Sequence, residues 1–167
     1  MIKKRVSSDF QSSGHPVIRS SSFMQLALEQ AQLASQKGEV PVGAVIIASK
    51  SGKVIAATHN LTESANDATA HAEMLAIREA CRSLKSPRLA GCDLYVTLEP
   101  CAMCAQAIAH ARIRRLYFGA YDSKGGGVEH GARIFHQGTC HHKPEVIGGM
   151  EESASAALLK EFFVARR

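Results

Sequence analysis

No stretch of this sequence approaches the ~18 consecutive apolar residues that a membrane-spanning helix needs. Residues 1–21, MIKKRVSSDFQSSGHPVIRSS, also lack the apolar segment of about 7–15 residues that marks a secretory signal. Arg and Ser are present there and acids are few, as in a transit peptide, but no amphipathic pattern accompanies them. They read instead as a disordered, basic, serine-rich extension. The five cysteines (Cys81, Cys92, Cys101, Cys104 and Cys140) are odd in number and scattered. That disfavours a disulfide framework and points to a reduced, intracellular setting. No internal repeat, linker or second domain is visible. The glycines at 125–127 are not followed by the Lys-Ser/Thr of a phosphate loop, so they read as a source of flexibility.

What is present suits one globular domain. The 167 residues are 46% hydrophobic and 21% charged, enough to bury a core. The net charge is +5, and residues 1–20 carry four basic residues against Asp9. This is a mild argument for a polyanionic partner, because phosphate backbones attract Lys and Arg, but enzymes of small metabolites can be equally basic.

From Ser22 the pattern becomes periodic. Ser22 and Gln25 form a capping box, and Phe23, Leu26, Ala27, Ala31 and Ala34 recur at helical spacing as far as Lys37-Gly38. VPVGAVIIA and KVIAAT, joined by SKSG, predict a hairpin. HAEMLAIREACRSL predicts a helix with Met74, Ile77, Cys81 and Leu84 inward. DLYVTL predicts a strand, CAMCAQAIAHA a helix and RIRRLYFGA a strand. EHGARIF predicts a short helix, PEVIGG a last strand, and EESASAALLKEFFVARR a closing helix, acidic at its start and basic at its end as the helix dipole favours. The expected fold is a three-layer α/β/α domain on a mixed five-stranded sheet spanning residues 22–167.

Cys101 and Cys104 lie three apart behind Pro100, which suits the first turn of a helix. Near the positive end of a helix dipole they could be a redox dithiol, half of a structural zinc site, part of a catalytic metal site, or two packing residues. Thirty residues upstream stand His71 and Glu73, behind Asp67 and Thr69, either of which could cap that helix. If both helices start at one sheet edge, one imidazole and two thiolates form a zinc site with an open position, the catalytic arrangement. Singly, His71 and Glu73 are ordinary residues. Together, Glu73 decides: it can reach a water at the metal without ligating, which a redox or structural site would not need.

H-x-E followed by P-C-x-x-C is the signature of zinc-dependent nucleobase deaminases. With EVPVGAV, the His59-Asn60 pair, TAHAE, LYVTLEPCAMC, ARIRRLYFGA, TCHHKPEV and EFFVARR, the chain resembles the bacterial tRNA-specific adenosine deaminases over nearly all of residues 22–167. That group belongs to the cytidine/deoxycytidylate deaminase superfamily. The extension, the longer ASKSGK hairpin and the short tail depart from its pattern. The resemblance implies a cytidine-deaminase-like fold and one zinc per subunit on His71, Cys101 and Cys104. It implies hydrolytic deamination of the wobble adenosine of a tRNA anticodon, that of an arginine tRNA, to inosine by zinc-activated hydroxide. Glu73 would shuttle protons. Asn60, Asp122, Phe163, Arg166 and Arg167 would touch the anticodon stem-loop, and the enzyme would be a cytoplasmic homodimer. Arg112, Arg114, Arg115, Lys143, His110, His141 and His142 are further candidates for phosphate contacts, whereas Cys81, Cys92 and Cys140 read as structural thiols. The alternatives are a deaminase of a free base or nucleoside (guanine, cytosine or cytidine) and an inactive zinc-containing RNA-binding subunit.

Overall fold

A computed structural model describes residues 20–166. Residues 1–19 of the expected extension, and Arg167, lie outside the described residues. The elements run α1 (Ser20–Gln36), β1 (Gly43–Ala48), β2 (Val54–His59), α2 (Ala72–Leu84), β3 (Cys92–Leu98), α3 (Ala102–His110), β4 (Arg115–Ala120), a 3₁₀ turn (Ile134–His136), β5 (Glu145–Ile147) and α4 (Glu152–Val164). The five strands form one sheet in the order β2-β1-β3-β4-β5. β1 is antiparallel to both β2 and β3, while β3, β4 and β5 are parallel. The mixed five-stranded sheet expected from the sequence is therefore present. The short helix expected at EHGARIF is reduced to its last residues, as a 3₁₀ turn.

The central strands alternate between two cores. Ala44 and Ile46 of β1 join Leu94, Val96, Leu116 and Phe118 in the cluster under α2 and α3. Val45 and Ile47 join Tyr95 and Tyr117 in the cluster under α1. There Tyr95 stacks on Tyr117 with ring centroids 4.4 Å apart, and Phe23 tilts against Tyr95 at 5.4 Å. α4 covers the same side and packs on β4 and α1. Three layers result, because each face of a buried sheet needs a helical cover. None of the described helices is long and apolar enough to cross a membrane.

Two helices differ from their expected faces. α1 starts at Ser20, so Ser22 lies inside its first turn rather than at its cap. It turns Met24 and Leu28 inward and leaves Leu26 at the surface. In α2 the buried stripe is Ala72, Glu73, Ala76, Ile77 and Ala80, whereas Leu84 is exposed. Alanines let this helix lie close on the sheet, so Ile77 is buried as expected while Met74, Cys81 and Leu84 sit at its flanks.

Topology now places the chemistry. β2 and β3 are both antiparallel to β1, so they run in the same direction, and β4 runs with them. The carboxyl ends of β2, β3 and β4, at His59, Leu98 and Ala120, lie along one sheet edge. α3 starts directly after β3, and α2 starts after the loop that follows β2. Both helix N-termini open onto that edge, where open α/β sheets place their crevices.

Candidate metal centre and active site

His71 is the N-cap residue of α2, and Cys101 is the N-cap residue of α3. Neither side chain caps its own helix, so each is free to turn toward the other. His71 Nδ1 lies 3.7 Å from Cys101 Sγ and 3.5 Å from Cys104 Sγ. A ligand atom from each of the three falls within 4.8 Å of the others, in a group partly open at His71 and Cys101 and buried at Cys104. Zinc–sulfur bonds of about 2.3 Å and zinc–nitrogen bonds of about 2.0 Å at tetrahedral angles require nitrogen–sulfur edges of about 3.5 Å. The residues fit zinc, with one tetrahedral position left for a non-protein ligand.

The protonation pattern of the pair agrees. The hydrogen bond from Cys104 holds the Cys101 thiol down at about 4, with His71 helping and burial opposing. Donating that bond, and then burial, push the Cys104 thiol far up. One thiolate and one thiol thus share a proton, which a divalent cation would displace by drawing both sulfurs into its shell.

Glu73 stands two residues after His71, in the first turn of α2, and is 4% exposed. Burial pushes its carboxyl up to about 7, against the lowering pull of its own amide N–H. A carboxyl near neutrality takes and gives protons with similar ease, which suits a group that must act as base and then as acid.

Glu73 shares a cavity of about 310 Å³ with His71, Cys101, Asn60, Asp122, Val40, Val42, Thr62, Leu98, Glu99 and Gly125. That volume falls within the range of small-molecule sites, about 300–1,000 Å³. Asn60 is buried, and its Oδ1 accepts the Ala72 N–H at 2.9 Å. It caps α2 from outside that helix. This corrects the expectation that Asp67 or Thr69 does so: Asp67 Oδ1 accepts instead from the amide and hydroxyl of Thr69.

Two buried glutamates that sequence reasoning missed hold the walls. Glu39 accepts from Thr62 Oγ1, Glu63 N, Ser64 N and Ser64 Oγ at 2.6–3.3 Å, and so fixes the loop that leads to His71. Glu99 accepts from the amides of Asp122, Val128, Glu129 and His130 and from His130 Nδ1. The only available signal was that each carboxylate sits inside an otherwise apolar or turn-forming segment, GEVPVG or LEPC. The expected flexibility of Gly125–Gly127 is also corrected. A Cβ on Gly126 would come within 2.6 Å of the Glu99 carboxyl, and one on Gly127 within 2.5 Å of Ala102 N. Close approach, rather than freedom, demands glycine there.

Burial raises the Glu39 carboxyl, but its hydrogen bonds from Ser64, Glu63 and Thr62 outweigh this and leave it below its ordinary value. A lowered folded value contributes stability above the unfolded pKa, about 4.3, and that stability is lost as the pH falls through the folded value. Glu39→Gln is therefore expected to cost about 1–3 kcal/mol at pH 7, because an amide nitrogen would face donors. The difference from wild type should shrink below about pH 4. Urea unfolding of both proteins from pH 3 to 7 checks this; a pH-independent difference would contradict it.

The remaining candidates lie apart from the cavity. Arg114 pairs with Asp93 through two hydrogen bonds of 2.8 and 2.5 Å, and Arg115 pairs with Glu145 at 2.5 Å. His142 Nε2 is bonded to Ile113 O, and Arg112 donates to His141 O. Phe163 is half exposed on α4, edge-on to buried Phe162. Arg166 sits 3.5 Å above the Phe162 ring and donates to Gly38 O, at the corner that leads to Glu39 and Val40. Of the expected structural thiols, Cys92 and Cys140 are buried and Cys81 partly so.

The family described as the cytidine and deoxycytidylate deaminase zinc-binding region matches residues 18–120. A tRNA-specific adenosine deaminase of Agrobacterium fabrum is 57% identical over 145 residues, covering 87% of this chain and 94% of its own. A solved structure from studies of A-to-I editing by tRNA:A34 deaminases at the wobble position superposes with a TM-score of 0.80 at 58% identity, covering 82% of this chain and 98% of its own. A guanine deaminase from Bacillus subtilis superposes less fully, with a TM-score of 0.60 at 38% identity, covering 62% of this chain and 66% of its own.

Proposed function

The chain belongs to the cytidine and deoxycytidylate deaminase family, and from that premise we propose that it converts adenosine to inosine at the wobble position of a tRNA anticodon. One observation carries the substrate. The likeness to tRNA-specific adenosine deaminases is high and runs almost the whole length of both chains, well beyond the zinc motifs, whereas the likeness to guanine deaminase is lower and shorter.

The protein is a zinc-binding hydrolase. When bound, zinc supplies a Lewis acid that makes water nucleophilic near neutral pH. His71, Cys101 and Cys104 hold it. Glu73 takes a proton from the attacking water, delivers it to N1 of the adenine ring, and passes a proton to the departing 6-amino group, so that ammonia leaves and inosine remains. Burial of Glu73 supports this role, since a dry carboxyl is poised to transfer protons without competition from bulk water. Asn60 and Asp122 orient the nucleotide from opposite walls. The base must leave its stack to enter, which a single-stranded anticodon loop permits at low cost.

The finer reading adds an arginine tRNA as substrate, Phe163, Arg166 and Arg167 as contacts to its anticodon stem-loop, a cytoplasmic location, and a homodimer whose subunits share the RNA. Incubation with total tRNA and mapping of inosine is the test. Inosine is expected at position 34 of one or few tRNAs, including an arginine tRNA, with little conversion of free adenosine. Deamination of free guanine or cytidine with none on an anticodon stem-loop would transfer the site to nucleobase metabolism.

A further inference from the structure

We propose that Glu99 is a positioning residue: its carboxylate clamps both ends of the 122–130 loop and thereby fixes Asp122 in the wall of the substrate cavity. Its role in substrate placement rests on the function proposed above; the clamp itself does not.

Glu99 is 2% exposed, and five N–H groups converge on it. Oε1 accepts from the amides of Val128, Glu129 and His130 at 3.3, 2.8 and 2.9 Å. Oε2 accepts from the Asp122 amide at 3.0 Å and from His130 Nδ1 at 2.8 Å. The loop therefore leaves and returns to one carboxylate: Oε1 takes the amides of the 128–130 end, and Oε2 takes the Asp122 amide together with the His130 ring. A carboxylate offers about four lone-pair sites and no donor, so no other side chain of this length could satisfy both ends.

The clamped loop lies on the start of α3. Gly126 pairs with Cys101, and Gly127 N donates to Pro100 O. Asp122 in turn sets the loop's first turn, with Oδ1 accepting from Lys124 N and Gly125 N at 3.0 and 2.9 Å. Asp122 and Gly125 both line the cavity. The opposite wall, with Asn60 and Thr62, depends on Glu39 and α2 instead. Glu99 thus governs one wall alone.

Glutamine in place of Glu99 predicts which end opens. With its carbonyl toward the three amides of 128–130, its NH₂ meets His130 Nδ1, which can become an acceptor by changing tautomer, and the Asp122 N–H, which cannot. The opposite orientation would orphan three amides. The Asp122 end is released and the 128–130 end is kept.

The test compares wild type with Glu99→Gln, with Glu99→Asp as a second variant that keeps the charge but is one methylene short. Zinc content should be unchanged. Amide hydrogen exchange should accelerate at 121–126 in Glu99→Gln while α3 and 128–130 stay protected. On an anticodon stem-loop, KM should rise about tenfold with kcat within about threefold, because placement is lost and proton transfer is not. In a double-mutant cycle with Asp122→Ala the KM effects should be far from additive. Unchanged exchange at 121–126 in both variants, additive effects, or loss of zinc would overturn the clamp. Failure of wild type to deaminate the stem-loop would overturn the proposed function instead, leaving the exchange result to decide the clamp.

Discussion

Glu73→Gln is expected to keep its fold and its zinc and to lose at least about 10³–10⁴-fold in kcat. General acid–base groups contribute roughly 10²–10⁴-fold, and Glu73 is assigned several transfers in one turnover. Glutamine fills the same volume but can neither take nor give a proton in this role. The same change has a second signature, readable without substrate. In the metal-free protein, burial holds the Glu73 carboxyl up at about 7. A group raised in the folded state contributes stability that is full below its unfolded value, about 4.3, and is lost as the pH rises through the folded value. Glutamine has no such dependence. Metal-free Glu73→Gln should therefore gain on metal-free wild type between about pH 4 and pH 7 and hold that gain above it. Turnover near that of wild type would refute the shuttle. Loss of zinc would move Glu73 among the ligands.

The second large effect is on the metal. Cys101→Ser/Cys104→Ser is expected to bind no zinc, to lose measurable deamination, and to melt at a temperature indifferent to added zinc or chelator. Wild type should be stabilised by zinc in proportion to RT ln(1 + [Zn]/Kd), because the folded chain alone presents the three donors together. His71, Cys101 and Cys104 come from two helix starts brought to one sheet edge, so unfolding separates them. Metal analysis, with thermal melts in zinc and in chelator, checks the claim. A full equivalent of zinc in the double variant would disprove the ligand assignment.

The legible part of the site was local. His71 and Glu73 are two residues apart, and Cys101 and Cys104 one helical turn apart behind a proline, so their relative placement is largely set by the helix each begins. Their chemical types then restrict the metal and its geometry. The strands were legible for a similar reason: short, largely apolar, β-branched runs such as GAVIIA and DLYVTL suit central strands covered on both faces. The helix faces were less so, since Ala72, Ala76 and Ala80 carry little hydrophobic weight, yet they form the stripe on which α2 lies.

By itself, then, the sequence pointed to three grouped metal donors, to Glu73 as the proposed proton carrier, to the order of elements and to the family they resemble. Each half of the site is local, His71 with Glu73 and Cys101 with Cys104, and it is the residue types of the two halves, 30 residues apart, that link them. Tertiary structure alone decided that Glu39 and Glu99 brace the two walls, that Asn60 caps α2, and that Arg114 and Arg115 are occupied by Asp93 and Glu145 rather than left free for phosphate. Each of these pairings joins groups from about 12 to 31 residues apart. No periodicity encodes such a separation; only the packing of the sheet edge brings a buried carboxylate to the amides that stabilise it.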